Sequence, residues 1–222
     1  MSLTFDELFQ KETDFKVDAN RFRVQPSEEL INNVVKALEA KNHRVSVVAD
    51  EKEALELLKK EIPDKAEVMA ASSATLAEIG FKDYYFSNDC KWVNVHKNIL
   101  SLEPSQQGPA RSKALASQYF LSSVTAISQD GNIFVADASG TRVGGFTASQ
   151  NMVIVAGVNK LVQNDEEAIK RTELFCLPCE SVRARWAYKN QGSVIQNLLN
   201  VRFGATMGNK YHIILIRKLL GY

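Results

Sequence analysis

Apolar residues recur at helical spacing in EELINNVVKALEA, residues 28–40. They stand three and four positions apart, so they share one face of a helix. Two glutamates open the segment, where their negative charge suits the positive N-terminal end of a helix dipole. The pattern therefore predicts an amphipathic helix.

Short β-branched runs alternate with helical segments along the rest of the chain. The run RVSVVA predicts a strand at 44–49, and Asp50 with Glu53 three residues later predicts a capped helix that Pro63 closes. Further strands are predicted at 66–71, 92–95, 151–157 and 211–216, and further helices in SSATLAEIG up to Gly80, at 109–121 and at 165–175. Residues 81–91 receive no assignment.

One pair of strands is predicted to run antiparallel. The segments SVTAIS (123–128) and NIFVA (132–136) flank QDG, and an Asp-Gly pair favours a tight hairpin because both residues tolerate positive φ. The alternation elsewhere indicates an α/β fold: a Rossmann-like, mainly parallel sheet with helices on both faces and this β-hairpin inserted. Ligands of such sheets bind at the carboxyl ends of the strands.

Length and composition indicate one globular domain. The 222 residues suffice for one buried core, and we expect an N-terminal extension at 1–24 before a single α/β domain at 25–222. Hydrophobic residues make up 45% of the chain, charged residues 24%, and the formal net charge is +1 without long blocks of one sign. This balance does not favour binding to nucleic acid or to an acidic membrane surface.

No sequence pattern directs the chain to a membrane or out of the cell. Acids interrupt the apolar residues of the N-terminal segment, so no secretory signal is predicted there. No segment reaches the roughly 18 consecutive apolar residues that indicate a membrane span. We therefore expect a cytoplasmic protein.

The three cysteines, Cys90, Cys176 and Cys179, do not suggest a disulfide framework, because they are few and odd in number. Cys176 and Cys179 form one CxxC motif, which supplies only half of a structural zinc site, and the three histidines are scattered. A redox pair is the alternative, although Pro178 follows a predicted helix rather than a strand. We expect no bound metal and no cofactor.

Hydroxyl groups cluster directly after the predicted strand at 66–71. Ser72, Ser73 and Thr75 stand where a helix begins and its N–H groups are unpaired, an arrangement that suits a phosphate or a carboxylate. The alternative is that one serine only caps the helix, since serine is a usual N-cap residue.

A polar, glycine-rich loop follows the second strand of the predicted hairpin. In DASGTRVGG, three glycines, Gly140, Gly144 and Gly145, let the backbone approach a ligand, and Arg142 can grip an anion through two hydrogen bonds. The alternative is a mobile surface loop with a solvated arginine. The spacing is neither GxGxxG nor a Walker loop, so it does not predict a nucleotide site.

A third loop, GVNKL, ends the strand at 151–157. Asn159 and Lys160 could bind an anion there, or could only turn the chain. No nucleophile elbow with a Ser-His-Asp order, no HExxH and no aspartate-rich metal motif occurs. The motifs therefore indicate no nucleophile.

Five ordered segments together resemble the LUD domain. They are SSATLAEIGF, YFLSSVTAISQDGNIFVADASGTRVGGF, VIVAGVNKLVQNDEEAIKR, CLPCESVRARWAY and YHIILIRKLLGY. The closest resemblance is to the lactate utilisation protein C (LutC/YkgG) family, and it runs from about residue 25 to residue 222.

This resemblance implies a fold similar to the NagB/RpiA/CoA-transferase group. Sugar-phosphate isomerases of that fold hold phosphate with a Ser/Thr loop and a Gly-rich loop, and SSAT and SGTRVGG fall in comparable places; this is an analogy of fold only. The family accompanies an iron–sulfur subunit and a cysteine-rich subunit that oxidise L-lactate to pyruvate. Three cysteines are too few for a cluster, so any cluster belongs to a partner.

One departure from the family concerns the glycine-rich loop. Many relatives read Gly-Asn-Arg where this chain has Gly140, Thr141 and Arg142, and some carry a cysteine-rich C-terminal stretch that this sequence lacks. Thr141 keeps a hydrogen-bonding side chain but loses an amide, which puts the relatives' ligand preference in doubt here.

The resemblance favours a non-iron–sulfur subunit or accessory protein of L-lactate oxidation that binds a small carboxylate or phosphate. Arg142 would clamp the anion, Ser73 and Thr75 would contact it from the helix end, and Asp137 would move a proton or orient the ligand. These roles are hypotheses about one cleft formed by the three loops.

Two other functions remain open on the sequence. The first is a stand-alone isomerase-like or acyl-CoA transferase-like enzyme, where Glu78 or Glu180 would be the carboxylate nucleophile. The second is an assembly or regulatory protein that binds a metabolite without catalysis.

Overall fold

The computed structural model describes residues 3–207 and 210–222. The strands are β1 Arg44–Val48, β2 Glu67–Ala70, β3 Val93–Asn94, β4 Tyr119–Ser122, β5 Ala126–Ser128, β6 Ile133–Asp137, β7 Asn151–Gly157, β8 Leu161–Val162, β9 Asn197–Val201 and β10 Lys210–Ile216. The helices are α1 Phe5–Lys11, α2 Ala19–Phe22, α3 Glu28–Ala40, α4 Glu51–Glu61, α5 Ala74–Glu78, α6 Phe81–Phe86, α7 Val95–Leu100, α8 Pro104–Ala114, α9 Thr141–Ala148, α10 Asp165–Arg171 and α11 Leu177–Tyr188.

Six strands form one parallel sheet in the order β1-β10-β7-β4-β2-β3. Every neighbouring pair within it is parallel. The predicted α/β class with a Rossmann-like, mainly parallel sheet and helices around it is confirmed. The predicted helix at 28–40 is also present, and Ser27 caps it by accepting a hydrogen bond from the N–H of Leu30.

The two faces of this sheet bury separate sets of side chains, because successive strand residues point to opposite sides. On one face, Ile154 of β7 and Ile213 of β10 pack with helix α3 and with the second sheet. On the other face, Val155 and Ile214 pack with helices α4, α5 and α6. The sheet is thus covered on both sides, which is why its central strands are almost continuously apolar.

The predicted hairpin is present, but it lies in a second sheet rather than within the first. Strands β5 and β6 pair antiparallel, with Ile127 opposite Ile133. This second sheet has the order β8-β5-β6-β9, and neither β8 nor β9 was predicted. Gly131 in the turn has a φ of +73°, and a Cβ atom there would lie 2.9 Å from the backbone of Ala37. The turn therefore requires glycine for conformation and for space.

The prediction of one helix over 109–121 is wrong in its second half. Helix α8 ends at Ala114, and the apolar residues from Tyr119 onward form strand β4. Phe120 lies opposite Met152 of β7 and Met69 of β2. A short apolar run is compatible with a helix or a strand. Here it forms a strand, because it can pair with β2 on one side and with β7 on the other.

Three other boundaries differ from the predictions. The helix predicted at 165–175 continues through a π-helical turn at Thr172–Cys176 into α11, and Pro178 lies directly after this turn. The strand predicted at 92–95 is reduced to β3 before α7 begins. The unassigned segment 81–91 contains helix α6.

The N-terminal segment packs on the π-helical turn and on α11. Phe5 and Leu8 of α1 and Phe22 of α2 are buried against Phe175 and Cys179. One guanidinium nitrogen of Arg21 also donates to both carboxylate oxygens of Glu167 of α10, at 2.9 and 3.0 Å. Within the described part of the chain, no helix is long and apolar enough to cross a membrane.

Candidate functional site

A cleft of about 510 Å³ lies at the carboxyl ends of strands β2 and β4, where the chain passes from the first sheet into the second. Helix α11 and the loop after it form the opposite wall. The lining includes Ser72 and Ser73 after β2, Ser123, Val124 and Thr125 after β4, Asp137 at the end of β6, Thr141 and Arg142 of α9, Lys160 after β7, and Cys176, Glu180, Arg183 and Tyr222. This is the edge where parallel sheets bind ligands.

Asp137 organises the loop that follows β6. Its carboxylate accepts hydrogen bonds from the N–H groups of Gly140 and Val143, at 2.9 and 2.8 Å, and from the amide of Asn197 at 2.8 Å. Burial raises the pKa of Asp137, but these three bonds and the charge of Arg142 outweigh it and leave the pKa below its ordinary value. Asp137 is therefore held ionised at the start of α9.

Arg142 joins two of the predicted loops. Its guanidinium donates to the main-chain oxygen of Ala136 at 2.9 Å and to that of Ser72 at 2.7 Å. Its Nε–H is buried and has no hydrogen-bond partner among the described residues. Because both bonds go to neutral main-chain oxygens, the positive charge of Arg142 is not cancelled by them.

The hydroxyl groups after β2 divide between a cap, a buried contact and the cleft. Ser73 accepts a hydrogen bond from the N–H of Leu76 at 3.2 Å, so it caps α5 while it lines the cleft. Thr75 is fully buried, donates to the main-chain oxygen of Leu220 at 3.4 Å and is not part of the cleft lining. Ser72 lines the cleft.

The three glycines of DASGTRVGG stand outside the cleft lining, whereas the neighbouring Thr141 belongs to it. Gly140 has a φ of +76° and turns the chain into α9. A Cβ atom on Gly144 would lie 2.6 Å from Leu115, and one on Gly145 would lie 2.4 Å from the ring of Phe120. Close packing of α9 therefore explains Gly144 and Gly145, not approach of a ligand.

Asn159 and Lys160 behave differently, although they are adjacent. Asn159 accepts from the N–H of Leu220 at 2.9 Å and donates to the oxygen of Gly221 at 3.4 Å, so it fixes the C-terminal segment outside the cleft lining. Lys160 is 2% exposed and reaches the cleft. Burial lowers the pKa of Lys160 to about 7.

The two glutamates proposed as nucleophiles lie in different places. Glu180 lines the cleft, but it holds Arg183 through two hydrogen bonds, at 2.8 and 2.5 Å, and accepts from the hydroxyl of Tyr222 at 2.8 Å. Burial raises the pKa of Glu180, and these partners lower it below its ordinary value. Glu78 is outside the lining and accepts from the N–H groups of Phe5 and Gly221. Neither is a free carboxylate nucleophile.

Arg111 was not predicted, and it is the cleft cation with the most unused hydrogen-bond donors. It belongs to α8, lines the cleft, and donates only to Gln107, at 3.5 Å, among the described residues. Burial and the charge of Arg111 lower the pKa of His96, another unpredicted lining residue. The sequence analysis placed Arg111 inside the helix predicted at 109–121 and carried that helix past Ala114, so nothing in it showed that α8 ends beside the cleft loops.

The balance of charge in the cleft is positive. Its ionisable lining comprises Arg111, Arg142, Arg183 and Lys160 against Asp137 and Glu180. Arg183 and Glu180 neutralise each other. The ionised Asp137 offsets one further positive charge, so the two arginines Arg111 and Arg142, with Lys160 where it is protonated, leave a positive excess for a ligand. The arrangement is suited to a small anion bound by planar guanidinium groups.

The cysteine pair differs in its two environments. Within residues 3–207 and 210–222, no group of three or more His, Cys, Asp and Glu side chains could hold a metal ion. Cys176 lines the cleft and lies 3.1 Å from a guanidinium nitrogen of the buried Arg171. Burial raises the pKa of Cys179, which keeps this thiol protonated.

Comparison with known proteins places the chain in a family and supports its fold. The LUD domain family profile matches residues 31–216. A crystal structure described as a DUF162 family protein from Deinococcus radiodurans superposes with a TM-score of 0.53 at 11% sequence identity, covering 86% of this chain and 99% of that one. At that identity the likeness concerns the fold alone. No curated protein matches the chain.

Proposed function

The chain belongs to the LUD domain family, and from this premise we propose that it is a cytoplasmic subunit or accessory protein of L-lactate oxidation that carries no iron–sulfur cluster itself. The family is associated with lactate utilisation. The proposed ligand is a small carboxylate, L-lactate or pyruvate, bound in the cleft at the carboxyl ends of β2 and β4.

The observation that carries the proposal is the pair of arginines in the cleft. Arg111 has guanidinium donors to spare, and the hydrogen bonds of Arg142 go to neutral main-chain oxygens while its Nε–H has no described partner. A carboxylate can accept two parallel hydrogen bonds from one guanidinium, and such charge-assisted bonds are about twice as strong as neutral ones. Ser73 and Thr141 supply hydroxyls beside them.

The redox chemistry is proposed to belong to partners. The chain has three cysteines, of which Cys176 and Cys179 are buried in the helical region after α10. A cluster needs four thiolate ligands in most proteins. We therefore propose an iron–sulfur subunit and a cysteine-rich subunit as partners that receive the electrons.

A binding experiment tests the ligand. Isothermal titration of the full chain with L-lactate, pyruvate and inorganic phosphate should show saturable binding of a carboxylate. Arg111→Gln should weaken this binding at least 10-fold, because a charge-assisted bidentate contact is lost. Arg202→Gln is the matched control, since Arg202 is exposed and lies outside the cleft lining. Binding of phosphate alone would contradict the carboxylate assignment and favour the isomerase-like alternative.

A second experiment tests the biological role. Extracts of the host without this chain should lose lactate-dependent dye reduction, and wild-type protein should restore it. Arg142→Ala should not, because the link between the two loops and the cleft charge are both removed. Undiminished dye reduction in the deletion would contradict the role, and carboxylate binding without any effect on reduction would favour the regulatory alternative.

A further inference from the structure

Ser123 and Lys160 form a close pair in the wall of the cleft. Ser123 directly follows β4, and its Oγ lies 3.0 Å from Nζ of Lys160. Both side chains line the cleft and are otherwise buried, with exposed fractions of 5% and 2%. Both residues therefore border the ligand space.

The amine has three hydrogen-bond contacts. Nζ donates to the main-chain oxygens of Val124 and Tyr222, at 3.0 and 2.9 Å, and to Oγ of Ser123. An ammonium donates one N–H group to each of the three oxygens. A neutral amine has two N–H groups for the two main-chain oxygens, and its lone pair is then available to the hydroxyl of Ser123 at the same 3.0 Å.

The remaining surroundings of Lys160 are consistent with an amine that titrates near neutrality. Besides burial, the positive charges of Arg171 of α10 and Arg142 of α9 lower its pKa. Cys176 of the π-helical turn and Glu78 of α5 raise it. The net result is a pKa of about 7. A base with such a pKa is free to accept a proton at physiological pH.

Thr75 completes the pair from the side. Its Oγ1 lies 3.4 Å from Oγ of Ser123, against 3.0 Å for Nζ of Lys160. Thr75 already donates its own hydroxyl to the oxygen of Leu220. The hydroxyl of Ser123 donates to Thr75 while it accepts from Lys160, and the neutral amine offers its proton a second, nearer acceptor.

We propose that Ser123 is a nucleophile and Lys160 its general base, acting on an ester or thioester of a small carboxylic acid. Oγ of Ser123 forms a bond to the acyl carbon while its proton moves to Nζ. The bond to the alcohol or thiol breaks, and the leaving group takes that proton. Water then hydrolyses the acyl-enzyme in the same way, which releases the acid and restores both residues.

The choice of an anionic acyl group rests on the proposed function, whereas the nucleophile does not. If Arg111 and Arg142 hold a carboxylate, the preferred substrate carries a second, free carboxylate beside the reacting ester. Phenylmethylsulfonyl fluoride is uncharged and reports the nucleophile alone. Titration with L-lactate or pyruvate reports the anion site alone. The two experiments therefore show separately whether the nucleophile or the proposed anion site is wrong.

The test is covalent labelling by phenylmethylsulfonyl fluoride, followed by peptide mass spectrometry. We expect one modified residue, Ser123, with a labelling rate that rises with pH to a plateau through a midpoint near 7. Ser123→Ala should abolish labelling. Ser122→Ala is the matched control, because Ser122 is buried beside it and donates instead to the oxygen of Ser123.

The role of Lys160 as the base is tested by a separate variant. Lys160→Met should slow labelling about 100-fold at pH 8, which is at the lower end of general-base contributions, and should remove the midpoint near 7. Hydrolysis of mono-p-nitrophenyl succinate should exceed that of p-nitrophenyl acetate, and Arg111→Gln should abolish this preference.

Three results would overturn the proposal. The first is absence of labelling in folded wild-type protein. The second is modification of another residue, such as Lys160 itself or Ser46 of β1, whose Oγ lies 2.9 Å from Nε2 of His212. The third is a labelling rate in Lys160→Met equal to that of the wild type while circular dichroism shows the variant folded.

Discussion

Two cavities of similar size open at opposite ends of the parallel sheet, and their electrostatics differ. The cleft at the carboxyl ends measures about 510 Å³. A pocket of about 470 Å³, here called the amino-end pocket, is lined by residues at the starts of β1, β4, β7 and β10, including Arg44 and His212. In the amino-end pocket Glu61 accepts hydrogen bonds from Arg44 and contacts His212 at 3.2 Å, so the charges cancel.

The difference arises from what holds the cations. In the amino-end pocket the strand register places Arg44 directly beside His212, and α4 brings Glu61 to both. In the cleft the chain crosses between two sheets, and main-chain oxygens of the crossing loops hold Arg142 and Lys160. Neutral oxygens orient a cation without cancelling its charge. Volume alone would rank the two cavities as equals, whereas charge favours the cleft for an anion.

The largest expected effect is a pH dependence that comes from Lys160. Between pH 7 and its ordinary pKa of 10.5, the amine is neutral when folded and charged when unfolded. Unfolding then takes up a proton, so the free energy of unfolding rises with pH through this window, by about 4 kcal/mol for one buried lysine. Urea unfolding of wild type and Lys160→Met at pH 7 and pH 10 measures it. Equal pH slopes in the two proteins would show that the amine is not titrating in this window.

Breaking one ion pair in the cleft should destabilise the protein more than breaking one in the amino-end pocket. Glu180→Gln leaves the Arg183 side chain, 5% exposed, without its carboxylate and should lower the free energy of unfolding by about 2 kcal/mol. Glu61→Gln should cost less than about 1 kcal/mol, because the Arg44 side chain is 63% exposed. Urea denaturation at pH 7 compares them. A larger loss of unfolding free energy in Glu61→Gln than in Glu180→Gln would contradict this order of the two ion pairs.

A second pH dependence, of about 3 kcal/mol and therefore smaller than that of Lys160, should mark the amino-end pocket. In the amino-end pocket burial lowers the pKa of His43 to about 4. Between pH 6.5 and pH 4 this imidazole is neutral when folded and charged when unfolded, so stability should fall as the pH falls through that window. As the pH falls through this window, His43→Leu should lose less stability than the wild type. Thermal melts from pH 7 to pH 4 measure it, and parallel melting curves for the two proteins would refute the prediction.

The smallest effect on stability is expected at Arg111. Its guanidinium has one long hydrogen bond, to Gln107, so Arg111→Gln should change the free energy of unfolding by less than about 0.5 kcal/mol. The same variant should lose the stabilisation that L-lactate or pyruvate gives to the wild type. Thermal melts with and without the carboxylate check both halves. A large loss of stability without ligand would mean that Arg111 serves the fold rather than the ligand.

The sequence predicted five of the six strands of the main sheet and two of the four strands of the second one. Long periodic or apolar segments such as 28–40, 151–157 and 211–216 were predicted because their pattern matches only one element. Strand β4 was assigned to a helix, since YFL carries no period and only its two neighbours in the sheet make it a strand. Strand β9, whose burial is partial, shows no continuous apolar run.

The same limit applies to the candidate site. Asp137, Thr141 and Arg142 were predicted together because one strand end and one loop place them side by side. Arg111 and the Ser123–Lys160 pair depend on contacts between segments far apart in the chain, and no spacing records them. Gly145 was predicted to let the backbone approach a ligand, but its missing side chain makes room for the ring of Phe120. The sequence does not distinguish these two reasons for a glycine.

Residues 219–222 tie together parts of the chain that are far apart in sequence. They exchange hydrogen bonds with Arg23, Glu78, Asn159 and Lys160. A protease that cuts before Leu219 would therefore release the N-terminal segment, helix α5 and the end of β7 from one another, and would remove Tyr222 from the cleft lining.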